Sequence, residues 1–343
     1  MSKETTLDIA AVDAYLKEYL NGYEGPLEAT KFAVGQSNPT FELRTPNRSY
    51  VLRRKPPGVL LKSAHAVDRE FRVQQALADS NVPVPKMHLL CEDDGVIGSV
   101  FYVMEHLKGR IFLEPTLRSE SNDVRTGVMD EMNRVLAELH MVDIDAAGLS
   151  DYGPMGNYFE RQISRWTKQY RASETSAIAD MDALISELER SIPADDGQRT
   201  LVHGDYRIDN LMFASEGTGC IGVLDWELST IGHPYADLAA VIMQWQMQPG
   251  TEGRGLAGID RESLGLPSDQ AFIAQYCKRR GLPGIQNFGF YLAFNFFRMA
   301  AILQGVYKRA LDGNASDPKR AQAFGTYVPI FAQCGLAALG KEL

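Results

Sequence analysis

Two short apolar runs, each leading directly into a cluster of polar residues, constrain the fold of this chain more than any other feature of its sequence. The first lies in residues 201–213 (LVHGDYRIDNLMF) and carries Asp205 and Asn210; the second lies in residues 221–227 (IGVLDWE) and carries Asp225. Aspartate and asparagine are common in plain surface turns. Apolar runs flanking both clusters, however, are typical of buried strands. The pattern therefore predicts that strand ends bring these three polar side chains to one site.

The spacing of the three residues indicates phosphoryl transfer. Asn210 follows Asp205 by five positions, and a further strand then delivers Asp225, which is the order found in the catalytic loop and metal-binding segment of kinases. A carboxylate at position 205 can orient an acceptor hydroxyl and take its proton. The amide oxygen of Asn210 and the carboxylate of Asp225 are hard ligands of the kind that Mg²⁺ prefers. We therefore predict Asp205 as the catalytic residue, with Asn210 and Asp225 as metal ligands.

A metal-dependent hydrolase that uses His203, Asp205 and Asp225 is an alternative interpretation of the same residues. It is weaker because no H-x-H pair accompanies His203, and His233 is poorly placed to help. We expect His203 to be a packed, hydrogen-bonded side chain that supports the loop. The four cysteines form no C-x-x-C pair, which excludes a zinc knuckle.

Composition narrows the class of protein further. The chain has 343 residues, of which 45% are hydrophobic and 23% are charged, as in an ordinary globular protein with a large core. Its net charge of −9 argues against a nucleic-acid partner. Residues 291–303 are the most apolar stretch, but Asn295 and Arg298 interrupt them, which predicts a buried helix and no membrane partner. The scattered cysteines and the lack of an apolar N-terminal stretch predict reduced thiols and a cytoplasmic location.

The hydrophobic periodicity predicts an α+β fold in two parts. Short β-prone runs form an antiparallel meander with one inserted helix, and after residue 109 the periodicity becomes helical. We therefore predict a small β-rich N-terminal lobe, residues 1–106, and a larger, mainly helical lobe, residues 107–343. The predicted strands lie at 27–34, 40–45, 49–54, 82–91 and 98–107, with further short strands between 200 and 225. The predicted helices lie at 7–20, 65–80, 122–140, 158–173, 179–191, 236–246, 270–280, 288–311 and 319–339.

HGDYRIDN followed by LDWE resembles the catalytic motifs of the aminoglycoside phosphotransferase/choline kinase family. The resemblance covers nearly the whole chain, because GQSNPTFEL, YVLRRKPPGVLLKSAHAVDREFRVQQAL, VPVPKM and FYVMEHLKGR follow one another in family order. The chain is most similar to the subgroup that also occurs fused to acyl-CoA dehydrogenases. The resemblance implies a bilobal protein-kinase-like fold with ATP and Mg²⁺ as cofactors.

The resemblance also implies residues that hold the nucleotide phosphates. Arg53 at the end of YVLR stands where such kinases carry a lysine, and the neighbouring Arg54 and Lys55 leave the identity of the phosphate cation open. The family pattern places Arg53 over the cleft, and strand alternation then leaves Arg54 pointing away as an exposed charge of little consequence. Glu70 in DREF would pair with the cation.

Three further segments take their roles from the family. Gly35, Ser37 and Asn38 stand where the phosphate-covering loop belongs, although a plain hairpin has the same composition. Glu105 and Leu107 would offer backbone groups to adenine. Asp237 opens a helix; it either caps that helix or, as in this fold, braces the catalytic loop.

The sequence thus predicts an ATP- and Mg²⁺-dependent kinase that acts on the hydroxyl of a small molecule. The subgroup resemblance suggests a hydroxyacyl-CoA as the acceptor. Residues 159–171 are basic and aromatic and would suit the anionic groups of CoA. The alternative interpretation of this segment is a plain solvated helix. The alternatives are an aminoglycoside-type phosphotransferase, a nucleotide-binding pseudokinase module and a Mg²⁺-dependent phosphatase. The oligomeric state stays open.

Overall fold

The computed structural model describes residues 7–32, 38–56, 66–250, 254–314 and 317–340. These residues pack as two compact units. The first unit takes the described residues of Met1–Phe112 together with Asp145–Leu149 and Asp209–Ser229. The second unit takes Leu113–Ile144, Ser150–Ile208 and the described residues of Thr230–Leu343.

The helices and strands follow one another in the order expected of a mixed α+β chain. The helices are α1 (Ile9–Tyr19), α2 (Val67–Ala76), α3 (Asn122–Leu139), α4 (Tyr158–Ser173), α5 (Ala179–Arg190), α6 (Tyr235–Trp245), α7 (Asp269–Arg280), α8 (Phe288–Leu311), α9 (Pro318–Ala323) and α10 (Tyr327–Leu339). The strands are β1 (Glu28–Lys31), β2 (Thr40–Arg44), β3 (Ser49–Arg54), β4 (Met87–Cys91), β5 (Phe101–Glu105), β6 (Gly109–Ile111), β7 (Thr200–Val202), β8 (Leu211–Ala214), β9 (Cys220–Val223) and β10 (Thr230–Gly232).

The first unit is built on a five-stranded antiparallel sheet with the strand order β1-β2-β3-β5-β4. Helix α1 covers one face, where Leu16 packs with side chains of the sheet such as Phe41 and Leu52. Helix α2 packs on β4 and β5. A second antiparallel sheet, β6-β8-β9, belongs to the same unit. The predicted meander with one inserted helix is confirmed.

Alternation along β3 decides where its arginines point. Tyr50 and Leu52 face the α1 side, so Arg53 faces the opposite side of the sheet. Arg54 continues the Tyr50 face, is only 3% exposed, and lays its guanidinium 5.6 Å from the ring centroid of Phe41. The prediction that Arg54 is an exposed charge is therefore wrong, because the end of the strand is still covered by the core.

Among its described residues, the second unit has one antiparallel pair of strands, β7–β10, and its other regular elements are helices. Helix α8 runs through it and packs against α4, α5, α6 and α10. Asn295 is buried on α8 and donates to the carbonyl oxygens of Ala236 and Tyr291. The predicted buried helix is thus confirmed. Within the described residues, no helix combines the length and the apolar character needed to cross a membrane.

The strand predicted at 82–91 and the helix predicted at 319–339 differ most from the structure. Strand β4 begins at Met87 instead of residue 82, since Pro83 and Pro85 cannot donate to a sheet ladder. The helix predicted at 319–339 is broken into α9, a 3₁₀ turn at Phe324–Thr326 and α10.

Candidate active site

The backbone of the loop after β7 is held by a buried carboxylate. Asp237 is 1% exposed, and its two oxygens accept hydrogen bonds from the N–H groups of His203 at 2.7 Å and Gly204 at 2.9 Å. Asp237 lies in the first turn of α6, whose N-cap is Pro234. The N-cap interpretation of Asp237 is therefore wrong, and the bracing interpretation is confirmed.

A histidine that the sequence analysis did not single out completes this brace. His140, directly after α3, lies with Nε2 3.4 Å from Asp237 Oδ2 and with Nδ1 2.7 Å from Tyr276 Oη. Burial would raise the pKa of Asp237, but hydrogen bonds from His140 and Gly204 outweigh it and the pKa is lowered. Burial lowers the pKa of His140. The only sequence signal was a polar residue at the end of the apolar face of α3.

Asp205 follows the braced residues with its side chain 36% exposed. Its N–H donates to Nδ1 of His203 at 3.3 Å, and Arg207 Nε lies 3.2 Å from its Oδ1. His203 is fully buried and packs edge-on against Tyr206. The packed, loop-supporting histidine predicted from the sequence is confirmed. Asp205 therefore presents a partly exposed carboxylate on a rigid support.

Asn210 and Asp225 lie together in the first unit. Asn210 ends a 3₁₀ turn before β8, and its carbonyl oxygen accepts the N–H of Leu224 at 2.8 Å. Asp225 has φ 64°, a left-handed conformation that is uncommon for a residue with a side chain. An amide and a carboxylate oxygen thus sit at adjacent strand ends. This donor set fits Mg²⁺, which keeps several waters. Within the described residues, no group of three or more His, Cys, Asp or Glu side chains could hold a metal ion.

Arg53 is the centre of a charge cluster in the same unit. Its Nε lies 2.9 Å from Glu70 Oε2, and its Nη2 lies 2.7 Å from Asp225 Oδ1 and 3.7 Å from Glu227 Oε2. Lys55 instead pairs with Asp68 at 3.2 Å. The predicted contact between Arg53 and Glu70 is confirmed. The role of Arg53 as phosphate cation stays a prediction.

Glu70 is buried, and its second oxygen is used as well. Asn38 Nδ2 donates to Glu70 Oε1 at 2.8 Å, and Tyr102 Oη donates to Oε2 at 3.2 Å. Burial raises the pKa of Glu70 to about 7, although Arg53 opposes the shift. Burial would lower the pKa of Arg53, yet Glu70, Tyr102 and Asp225 hold it above its ordinary value. Gly35 and Ser37 lie outside the described residues.

The segment proposed to contact adenine leaves the last long strand of the sheet. Glu105 ends β5, and its N–H donates to the carbonyl oxygen of Lys86 at 2.9 Å. The N–H of Leu107 makes no hydrogen bond within the described part of the chain. The Leu107 side chain lies directly over the backbone of Gly222 in β9, where a Cβ would come within 2.4 Å of it. Within the described residues, therefore, no backbone carbonyl group accepts the N–H of Leu107.

Basic and aromatic side chains gather near the carbonyl group that precedes Asp205. Arg298 of α8 donates from Nη2 to the Gly204 oxygen at 2.8 Å. Two guanidinium groups lie near the ring of Trp166 on α4. That of Arg165 is 5.4 Å from the ring centroid, and that of Arg298 is 5.7 Å from it. We call Arg165, Trp166 and Arg298 the arginine–tryptophan cluster. It places two positive charges in the neighbourhood of the catalytic loop.

Comparison with known proteins adds family relationships to this geometry. The model of the phosphotransferase enzyme family matches residues 28–274. Acyl-CoA dehydrogenase family member 10 of Mus musculus is 46% identical over 91% of this chain and 29% of that protein. Family member 11 of Rattus norvegicus is 43% identical over 98% of this chain and 44% of that protein. The chain thus spans less than half the length of these curated relatives.

Solved structures share the fold. A Ralstonia eutropha protein assigned as an aminoglycoside phosphotransferase is 46% identical, with a TM-score of 0.89 over 97% of this chain and 98% of that chain. A thermostable mutant of aminoglycoside phosphotransferase APH(4)-Ia, in ternary complex with ADP and hygromycin B, is 14% identical, with a TM-score of 0.63 over 97% of this chain and 100% of that chain. The predicted protein-kinase-like α+β fold is confirmed.

Proposed function

The chain belongs to the phosphotransferase enzyme family, and on that premise we propose that it transfers the γ-phosphate of ATP to the hydroxyl of a small molecule. The observation that carries the proposal is the cluster in which Arg53 meets both Glu70 and Asp225. A buried, charge-paired arginine that is aimed at a candidate metal ligand suits the binding of metal-bound phosphates. A plain structural salt bridge would need only one of the two carboxylates.

Four residues of the chain have separate roles in the proposed reaction. Asp205 orients the acceptor hydroxyl and takes its proton, while the O–P bond to ADP breaks and a new O–P bond to the acceptor forms. Arg53 binds the nucleotide phosphates, and Glu70 holds Arg53 in place. Asp237 keeps the backbone of the catalytic loop fixed, so that catalysis rests on positioning and charge.

Asn210 and Asp225 would hold Mg²⁺. When bound, the ion neutralises charge on the phosphates of ATP. Both side chains supply oxygen donors of the type Mg²⁺ takes. Asp225 contacts Arg53 through Oδ1 alone, so it would hold Mg²⁺ either through Oδ2 or by releasing Arg53 to the phosphates.

We place the nucleotide on the N-terminal lobe, residues 1–106, and the acceptor on the lobe formed by residues 107–343. Backbone groups of Glu105 and Leu107 would bind adenine, and the lack of a backbone acceptor for the Leu107 N–H within the described residues supports this. Gly35, Ser37 and Asn38 would cover the phosphates. ADP in a structural neighbour of the same fold is consistent with nucleotide binding.

A hydroxyacyl-CoA is the proposed acceptor. The relatives named as acyl-CoA dehydrogenases make an acyl-CoA a reasonable substrate class for this chain. The arginine–tryptophan cluster near Asp205 suits the phosphates of a CoA thioester and would repel a polycationic aminoglycoside. An aminoglycoside acceptor is the second candidate, because a structure 46% identical carries that assignment.

A mass-spectrometric acceptor screen tests the proposal. The full chain is incubated with ATP, Mg²⁺ and either pooled hydroxyacyl-CoAs or pooled aminoglycosides, and the products are examined for an added phosphoryl group. We expect the group on a hydroxyacyl-CoA only. Phosphorylated aminoglycoside alone would assign the second candidate. ATP binding with no product in any pool of hydroxy metabolites would favour the pseudokinase, and removal of phosphate from a phosphoester without ATP would favour the phosphatase.

A further inference from the structure

A cavity of about 240 Å³ lies within the second unit, away from the catalytic loop. Its wall consists of residues 154–159 and Arg161, residues 193–195 and 197–199, residues 231–233, and Tyr291 of α8. The loop that carries Asp205 leaves the other end of β7, and three strand residues span about 10 Å. The cavity is therefore distinct from the residues assigned to phosphoryl transfer.

Two arginines give this cavity a positive interior. Arg161 donates from Nη1 to the carbonyl oxygens of Met155 and Gly156, and Arg199 donates from Nη2 to the carbonyl oxygen of Ser150. The Nε atoms of both arginines are buried and have no hydrogen-bond partner within the described residues. The N-terminal end of α4 adds a partial positive charge. An anion in the cavity would supply an acceptor for these donors.

The acidic groups near the cavity are occupied by other partners. His233 accepts the N–H of Tyr235 on Nδ1 at 3.3 Å, so its Nε2 carries the proton and faces Asp196 Oδ1 at 3.4 Å. Gln198 donates its N–H and its side-chain amide to the same carboxylate. Asp195, the one acidic residue in the described wall, accepts the N–H of Gly197. Neither Arg161 nor Arg199 forms a salt bridge within the described residues, so the wall carries two arginines against the single carboxylate of Asp195.

Aromatic rings form the apolar side of the cavity. His233 and Tyr291 are stacked with centroids 5.5 Å apart, and Phe159 lies 5.1 Å from each of these two rings. Tyr158 lines the same wall. At about 30 Å³ per water in the liquid, the volume equals roughly eight waters. This is room for a small ring or a short chain that carries one acidic group.

We propose that this cavity binds a small organic carboxylate whose anionic end meets Arg161 and Arg199 and whose apolar body lies on the rings. The walls connect the ligand to the catalytic loop. Arg199 directly precedes β7, which leads into His203, and β10 leads into α6, where Asp237 holds the loop backbone. Occupancy would therefore stiffen the support of Asp205 and act as an effector.

Calorimetry with benzoate as the probe tests the binding step on the full chain. We expect benzoate to bind, benzamide to bind at least tenfold more weakly, and Arg199→Ala to weaken benzoate at least tenfold. Ala194→Trp keeps every charge and adds a large ring at a residue of the cavity wall, and it should have the same effect without relying on the arginines. Arg190→Ala, which removes an exposed arginine of α5, is the matched control and should leave binding unchanged.

Three results would overturn the proposed carboxylate site. Equal affinity for benzoate in the wild type and in Ala194→Trp would place the ligand elsewhere and overturn the proposal. Inorganic phosphate that competes as tightly as benzoate would show a bare anion site and overturn the organic class of ligand. No binding of benzoate at all would also overturn it.

Hydrogen exchange tests the effector step without any turnover. Saturating benzoate should slow exchange of the His203 and Gly204 N–H groups by about threefold or more in the wild type, and not in Ala194→Trp. Binding with unchanged exchange would overturn the effector role alone. Neither measurement uses ATP, so a failure of this inference can be distinguished from a failure of the proposed kinase activity. Only the effector role rests on the proposed function, because an effector needs an activity to regulate.

Discussion

Arg53 Nη2 lies 2.7 Å from Asp225 Oδ1, so the proposed phosphate cation and the proposed metal ligand are paired with each other. The Nε of the same guanidinium lies 2.9 Å from Glu70. Arg53 can therefore release Asp225 and stay anchored by Glu70. A lysine offers a single point charge at this position, whereas the planar fork of arginine holds both carboxylates at once.

The contact between Arg53 and Asp225 predicts that loss of Arg53 changes both the KM for ATP and kcat. Arg53→Ala should raise the KM for ATP and lower kcat, because the charge acts on phosphates in the ground state and the transition state. Arg53→Lys should restore part of both, since it keeps the charge but loses the fork. Lys55→Ala is the matched control and should change neither parameter. Normal kinetics in Arg53→Ala, with folding verified by thermal melting, would make Arg53 a structural residue.

Asp225→Asn should weaken the binding of ATP in the presence of Mg²⁺ by roughly 10- to 100-fold, the loss expected for a charged interaction of about 1.5–3 kcal/mol. Isothermal titration with and without Mg²⁺ measures it. In the absence of Mg²⁺ the effect should be small. Asp68→Asn removes a carboxylate that pairs with Lys55 and serves as control. Unchanged Mg²⁺-dependent affinity in Asp225→Asn would remove Asp225 from the metal site.

Arg54→Ala should lower the free energy of unfolding by about 1–3 kcal/mol, because it removes a buried side chain that packs over Phe41. Burial also lowers the pKa of Arg54, as expected for a cation in the core. Urea unfolding should show a lower midpoint at an unchanged slope. Arg44→Ala, whose side chain is 60% exposed, should stay within about 0.5 kcal/mol. Equal midpoints in both variants would contradict the buried position.

Glu70 predicts a pH dependence of stability. Burial raises its pKa from 4.5 to about 7 in the folded chain. Between these two pKa values the folded state therefore binds more protons than the unfolded state. The contribution of Glu70 to the free energy of unfolding is complete below pH 4.5 and is lost as the pH rises through 7. The difference in melting temperature between the wild type and Glu70→Gln should decrease as the pH is raised from 5 to 8. A constant or rising difference would show that Glu70 is ionised throughout.

Much of the fold and part of the site could be predicted from the sequence. The meander and the long helices follow from hydrophobic periodicity, which depends on local order in the chain, whereas the Arg53–Glu70 contact was implied by the family resemblance. The burial of Arg54 could not be predicted, because alternation gives the face of a side chain and not the depth of the core above it. His140 was missed for a related reason. Its partners Asp237 and Tyr276 are more than 90 positions away, and no local spacing connects them.

Asp205→Asn tests the central claim most directly. The wild type and the variant are each incubated with ATP, Mg²⁺ and the acceptor found by the screen, and the phosphorylated product is counted by mass spectrometry, with ATP affinity measured in parallel. The proposal predicts a loss of about 10²–10⁴-fold in turnover, typical of a general base, with ATP affinity nearly unchanged. Undiminished formation of product by Asp205→Asn would contradict the assignment of Asp205 and the mechanism built on it.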